Sequence, residues 1–377
     1  MIFFNKASIT DLEEKYVLDC LRTRNICGDN KYTKLVDEIF EKKFNLRGML
    51  VTSCSTALDM TAILCDLKDG DEVICPSYTF VSTINAFVLR GAKPIFVDID
   101  KRTLNIDANK IEEKITNRTK AIYVVHYAGV ACDMDKILDI AKKYNLKVIE
   151  DAAQAVGSYY KGKLLGTLAD YGCYSFHQTK NITMGEGGLL IVKDDKEYEL
   201  AEMIREKGTN RKQFFKGFVD KYTWQVPGSS YLPSDILAAL LYAQLERFDE
   251  IQGKRLSVWE RYNKALESYE ERGIINRPYI PDYATNNAHM YYVILKDNAT
   301  RERLINRFRD NQIEAPFHYI PLHISPMGKK YGYKEGDFPI TEEYSSRLIR
   351  LPLYAELTNE EVDKVIKILT DFLDEEI

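Results

Sequence analysis

Short apolar runs recur between residues 49 and 195, and polar, helix-patterned stretches separate them. The runs are Met49–Ser53, Glu72–Pro76, Pro94–Asp98, Ala121–Tyr127, Lys147–Glu150, Gly172–Phe176 and Gly188–Val192. Their length and their Val, Ile, Tyr and Phe content predict strands. Between two of them, Asp133 to Tyr144 carries Met134, Ile137, Leu138 and Ala141 at helical spacing. Alternation of this kind predicts an α/β fold: a mostly parallel, seven-stranded sheet with helices on both faces.

The last third has a different pattern. Met290–Leu295 predicts a strand, and Thr300–Gln312 a helix with Leu304, Ile305 and Phe308 on one face. Thr358-Asn359-Glu360-Glu361 is a capping box that starts a terminal helix. Its apolar stripe runs through Val362, Val365, Ile366, Leu369, Phe372 and Leu373. The expected organisation is a large domain over 1–250, with an N-terminal helical segment, and a small α+β domain over 251–377. A single helix near Leu245–Ser268 is expected to connect them.

Composition narrows the function classes. A formal net charge of −5 over 377 residues gives no reason to expect nucleic acid as a partner. No apolar run approaches a membrane span, and the start, Met1 to Lys6, soon turns charged. The seven cysteines are scattered, odd in number and without a C-x-x-C pair, so reduced thiols and a cytoplasmic location are expected. The five histidines lack ligand spacing, so no metal is expected.

Four places carry candidate chemistry. The strand at Val148-Ile149-Glu150-Asp151 ends in two acids, where a parallel sheet presents its ligand site. One strand later, Ser175-Phe176-His177-Gln178-Thr179-Lys180 leads to a glycine turn; a lysine on such a rigid base can form a Schiff base once desolvation lowers its pKa. Ser53-Cys54-Ser55-Thr56 turns a strand into a helix whose free N–H groups suit a phosphate. Phe80, just past a strand end, could stack on a flat ring. Taken singly, each has a blander reading: a helix cap for Asp151 and for Ser53, a surface loop for Lys180, a core side chain for Phe80.

Their joint order resembles the DegT/StrS family of sugar-nucleotide aminotransferases, and the resemblance spans almost the whole chain. Gly70-Asp71-Glu72-Val73, Glu150 to Gln154, Ser175 to His177 with Lys180, Gly185 to Gly188, Phe317 to His323 and Leu351 to Leu353 all take part. It implies the aspartate-aminotransferase fold (PLP fold type I), a pyridoxal 5'-phosphate cofactor that cycles through pyridoxamine 5'-phosphate, and a homodimer with shared active sites. It implies Lys180 as the Schiff-base lysine and Asp151 as partner of the ring nitrogen. Gln154 would lie near the phenolic oxygen, and Phe80 on the ring. Ser55, the Cys54 and Ser55 amides, and Ser175 would hold the phosphate.

Two departures stand out. Cys54-Ser55 replaces the family's frequent Gly-Thr, and Ser230 stands where an asparagine from the second subunit often reaches the phosphate. A narrower resemblance, through His126 to Cys132, Arg205 to Arg211, Asp220 to Trp224, Gly228 to Leu232 and Asn287 to Met290, is to the family's 4-aminotransferases of enterobacterial common antigen synthesis. It implies transfer from L-glutamate, leaving 2-oxoglutarate, to dTDP-4-keto-6-deoxy-D-glucose, giving dTDP-4-amino-4,6-dideoxy-D-galactose for a surface glycan. Other 4-keto or 3-keto sugar nucleotides are the alternatives. A PLP-dependent sugar dehydratase would carry histidine in place of Lys180, and a non-catalytic sensor would not need Asp151, Gln154 and Lys180 together. From Lys207 to Trp224, cations (Lys207, Arg211, Lys212, Lys216, Lys221) interleave with Phe214, Phe215, Tyr222 and Trp224, a composition suited to a nucleotide diphosphate and base. His318 and His323 are the expected sugar contacts, and Arg211, Tyr222 and Trp224 the expected nucleotide contacts.

Overall fold

The computed structural model describes residues 1–376 except 212, 213, 215, 216, 218 and 219. Its strands are β1 (Gly48–Val51), β2 (Glu72–Pro76), β3 (Lys93–Val97), β4 (Thr119–Val125), β5 (Lys147–Asp151), β6 (Tyr159–Tyr160), β7 (Lys163–Leu164), β8 (Tyr171–Ser175), β9 (Gly188–Val192), β10 (Tyr291–Ile294) and β11 (Leu348–Leu351). Seven of them form one sheet in the order β1-β9-β8-β5-β4-β2-β3. Pairings among β3, β2, β4, β5 and β8 are parallel, and β9 runs antiparallel to both its neighbours. Only β9 is reversed because residues 176–187 return directly from β8, without the crossover helix a parallel connection needs.

Side chains alternate between the two faces, as strand geometry requires. Ile74, Ile122 and Val148 join one buried cluster, while Val73, Cys75, Ala121, Tyr123 and Ile149 join the other. Each such Val or Ile contributes roughly 1.5–3 kcal/mol on burial. Helices Cys54–Leu64 and Met134–Tyr144 pack on opposite faces, which explains why the strands read as apolar throughout.

A third cluster gathers Trp259, Tyr262, Leu304, Phe308, Val362 and Leu369 around the antiparallel pair β10–β11. Helices Asn298–Asp310 and Asn359–Glu375 contribute to it, and the latter starts with the expected capping box at Thr358. Residues near the start belong here too: Ile2 bridges Ile313, and Phe4 O accepts from Leu353 N at 3.2 Å.

The helix expected near Leu245–Ser268 is present as Phe248–Ala265; Asp235–Glu246 precedes it, with Arg247 between them outside helical geometry. Arg247 is drawn to Glu13 Oε1 at 2.8 Å, so the bend coincides with an ion pair to the first helix. The strand expected to reach Tyr127 stops at Val125; beyond it Ala128 adopts φ 56°, and Tyr127 N donates to Asn105 Oδ1 instead of the sheet. No helix of the described residues is long and apolar enough to cross a membrane.

Candidate active site

The C-terminal ends of β4, β5 and β8 deliver Val125, Asp151 and Ser175 to a cavity of about 800 Å3. Open α/β sheets present their ligand sites at this edge. The far wall comes from the C-terminal unit: Pro316 to Tyr319, Arg350, Leu351 and Leu353. Lys180, Asp151, Gln154, Phe80, Cys54, Ser55 and Ser175 all line this one space, as does His318.

Lys180 sits in a tight loop between β8 and β9. Phe176 N donates to Gly187 O, Gln178 N to Gly185 O and Lys180 N to His177 O, each at 2.9 Å. Gly185 takes φ +82°, a conformation that favours glycine. Asn181, the next residue, donates to Asn287 O at 2.7 Å and meets His289 Nδ1 at 2.9 Å, pinning the loop to the C-terminal half. Burial pushes the Lys180 amine below the usual lysine range, with the Arg350 charge adding to the effect and Asp151 opposing it.

The two acids at the end of β5 have separate tasks. Glu150 is fully buried and accepts from Gly166 N, Leu168 N and Ala169 N at 2.7–2.8 Å, with His126 Nε2 at 2.9 Å. It is a structural hub. Asp151 accepts from Thr83 Oγ1 at 2.7 Å and from Ala153 N at 3.1 Å. Burial pushes its carboxyl above the usual range, while those bonds and the Lys180 charge pull the other way.

Ser53 caps the helix Cys54–Leu64: its side chain accepts from Thr56 N, and the Thr56 hydroxyl accepts from Ser53 N. The next two N–H groups, on Cys54 and Ser55, have no intrahelical acceptor by helix geometry. Ser55 Oγ donates to Ser82 Oγ at 2.6 Å. Gly188 permits this arrangement, because a Cβ there would lie 2.5 Å from Cys54 N. Phe80 is 57% exposed and stands 6.2 Å from the Tyr319 ring, so its face remains open to the cavity. Gln154 is engaged at both ends: Oε1 accepts from Ala128 N at 2.6 Å, and Nε2 donates to Tyr319 OH at 2.9 Å.

Other expected contacts fall elsewhere. His323 does not line the cavity. It is fully buried, Nδ1 meets Ser77 Oγ at 2.7 Å and Nε2 meets Glu342 Oε1 at 2.9 Å, so neither ring nitrogen is left for a sugar. His318 does line it; Nδ1 meets Tyr127 OH at 2.7 Å, and burial pushes its pKa well below the usual imidazole range. Ser230 lies outside the cavity of its own chain, in a backbone bridge to Glu206. Arg211, 3.7 Å from Glu206 Oε2, also stands outside, together with Tyr222 and the 77% exposed Trp224. Lys212, Phe215 and Lys216 lie outside the described residues.

The residues that sequence reading missed are Thr83, Tyr319 and Arg350. Thr83 follows Phe80 by three positions, on the same turn of a helix starting at Val81. Arg350 is a lone charge in an apolar strand, Leu348-Ile349-Arg350-Leu351, and that interruption was a readable signal.

The comparisons with known proteins agree with this geometry. Over residues 7–370 the chain matches, and belongs to, the DegT/DnrJ/EryC1/StrS aminotransferase family. It is 37% identical over 350 residues to the spore coat polysaccharide biosynthesis protein SpsC of Bacillus subtilis, covering 89% of this chain and 88% of that one. It is 33% identical over 370 residues to a GDP-perosamine synthase of Escherichia coli O157:H7, covering 97% and 96%. The solved structure of Spr1654 from Streptococcus pneumoniae in its PLP form superposes with a TM-score of 0.90 at 26% identity, covering 99% of both chains. The fold is therefore that of the PLP-dependent aminotransferases, with the mostly parallel seven-stranded sheet expected of it.

Proposed function

We propose that this chain is a transaminase that moves an amino group from L-glutamate to a nucleotide-linked ketosugar, with pyridoxal phosphate held by the residues at the sheet edge. The observation that carries the reading is the meeting of a depressed-pKa lysine, Lys180, and a buried carboxylate, Asp151, in one cavity beside a helix N-terminus. The donor set fits the cofactor. It has an amine for an aldehyde, a carboxylate for a pyridinium, an open aromatic face at Phe80, and N–H groups of Cys54 and Ser55 with the Ser55 and Ser175 hydroxyls for a phosphate. Bound there, pyridoxal phosphate supplies an electron sink for the bonds around the amino-bearing carbon.

The chain's own groups do the rest. Lys180 Nζ is the group that would hold the cofactor's aldehyde carbon and, when free, would carry a proton from and back to the reacting carbon. Burial, which disfavours its charged form, suits the amine to that work. Asp151, steadied by Thr83, would hold a proton at the cofactor's ring nitrogen. Gln154 holds the floor of the ring site against Ala128 and Tyr319.

We also read 1–250 and 251–377 as the large and small domains, a division that the separate cluster around β10–β11 supports. In the same reading two subunits share their sites, Ser230 serves the partner's phosphate, and Arg211, Tyr222 and Trp224 meet the nucleotide; the exposure of Trp224 supports a role across an interface. For the acceptor, the shared stretches named above favour dTDP-4-keto-6-deoxy-D-glucose. The relatives named GDP-perosamine synthase favour a GDP-linked sugar instead. A panel of dTDP- and GDP-linked 3-keto and 4-keto sugars with L-glutamate, products identified by NMR, decides among them. Turnover of a dTDP-4-ketosugar is expected, with weaker sugar-nucleotide binding in Trp224→Ala; turnover of 3-keto sugars alone overturns the 4-keto assignment, and unchanged binding removes Trp224 from the site.

A further inference from the structure

His289 lines the cavity just before β10, and its hydrogen bonds settle which ring nitrogen carries the proton. Its partner is Asn181, the residue after Lys180. Asn181 Nδ2 donates to Asn287 O at 2.7 Å and to Gln252 Oε1 at 3.1 Å. Asn287 O is a backbone carbonyl and can only accept, so the amide of Asn181 cannot be turned round. Asn181 Oδ1 therefore faces His289 Nδ1, at 2.9 Å, and Nδ1 must be the donor. The main chain is held on both sides as well: His289 N donates to Asn287 Oδ1 at 3.1 Å, and His289 O accepts from Arg255 Nη2 at 2.8 Å. Burial holds the ring well below the usual imidazole range, and the charges of Lys180, Arg255 and Arg350 add to that. A neutral ring with its proton on Nδ1 carries a lone pair on Nε2. Among the described residues nothing donates to that lone pair, and Nε2 is the ring nitrogen left for the cavity.

We propose that His289 Nε2 accepts a hydrogen bond from the acceptor sugar, from the hydroxyl beside the keto carbon. This rests on the reading given above, a transaminase acting on a nucleotide-linked ketosugar. The chemistry of the two substrates makes the choice between them. L-Glutamate has only carboxylates besides its reacting nitrogen, and a carboxylate accepts hydrogen bonds and donates none. A bare lone pair repels it. A hexose ring carries hydroxyls, which donate. Position narrows the choice further. Lys180, Ser175, Gln154 and His289 also line one small recess off the cavity, and the Lys180 charge is felt at the imidazole. A hydroxyl held by His289 thus lies near the carbon that Lys180 serves, whereas the ribose hydroxyls hang beyond the diphosphate. For a 4-ketosugar this is the 3-hydroxyl.

The test is a double comparison on cofactor-loaded protein. Wild type and His289→Asn are each titrated by calorimetry, in the pyridoxal phosphate form that has no amino group to give. The ligands are dTDP-4-keto-6-deoxy-D-glucose and its 3-deoxy analogue, or the GDP-linked pair if wild type turns over that one. Asparagine can still donate to Asn181 Oδ1 from the place of Nδ1, but it has nothing in the place of Nε2. Wild type is expected to bind the parent sugar about 10-fold more tightly than the 3-deoxy analogue, the effect of one buried hydrogen bond. His289→Asn is expected to bind both alike, at the level of wild type with the analogue. A 10-fold preference that survives in His289→Asn overturns the inference, and so does a wild type with no preference. A slower L-glutamate half-reaction in His289→Asn with the sugar preference intact also overturns it, and makes His289 a prop for the Lys180 loop. Should His289→Asn fail to take up cofactor, His289→Phe, which fills the ring's space without a lone pair, decides by the same criteria. A wild type that binds and turns over no 4-ketosugar refutes the acceptor reading itself, a result distinct from the others.

Discussion

The cavity has two walls built on different physical terms. The sheet-edge wall places each functional group at the end of a buried strand: Asp151 on β5, Ser175 on β8, and Lys180 five residues beyond. Backbone bonds to neighbouring strands set those positions. The C-terminal wall of Pro316 to Tyr319, Arg350, Leu351 and Leu353 hangs from the two-stranded β10–β11 pair and is steadied by side chains such as Phe4 and Gln154. The first wall suits chemistry that tolerates little displacement. The second suits recognition of a variable ligand.

The largest effect should follow from removing the group on which the sheet-edge wall converges. Lys180→Ala is expected to abolish the borohydride-fixed cofactor adduct and to slow the glutamate half-reaction by more than about 10^4-fold. A persisting adduct would place the covalent lysine elsewhere and dissolve the contrast between the walls.

Asp151→Asn should cost about 10^2–10^3-fold in the same half-reaction while stabilising the cofactor-free protein. The sign follows from the raised carboxyl pKa in the folded state. Below the ordinary carboxylate range both forms are neutral and the variant gains nothing. As pH rises from there through the folded pKa, the wild type must keep a buried carboxylate ionised, or hold a proton the unfolded chain has lost, and falls behind. Melting temperatures of the two cofactor-free proteins from pH 3 to pH 8 should therefore diverge upward. Parallel curves would show that Asp151 is no more strained than an ordinary surface acid.

The smallest effect on catalysis is expected at His323, which neighbours the second wall without facing the cavity. His323→Ala should cost about 1–3 kcal/mol of stability, because Ser77 and Glu342 lose buried partners. The KM for the sugar nucleotide should not move. A rise in KM without loss of stability would return His323 to the substrate.

The same contrast explains what the amino-acid sequence disclosed. Strand–turn junctions mark the sheet-edge wall with local patterns, so Asp151, Ser55, Phe80 and Lys180 were all legible, as were the seven strands to within two residues at each end. Tyr127 was misplaced because a left-handed residue, Ala128, ended β4 inside an apolar run. The C-terminal wall forms by long-range packing. Nothing beside Arg350 in the chain announces that it faces Lys180, 170 positions earlier, and His323 resembles His318 until its Ser77 and Glu342 partners are seen.

The bridge from Ile2 to Ile313 and the bond from Leu353 to Phe4 also bear on how the protein is made. A ribosome adds about 5–20 residues per second, so β11 emerges on the order of ten to thirty seconds after the Lys180 loop. Until then Phe4, which also lines the cavity, lacks the Arg350 guanidinium and the Leu353 N–H that it meets in the folded chain. The nascent chain thus displays a finished sheet edge facing an absent wall, and the cavity closes only when its earliest and latest segments meet.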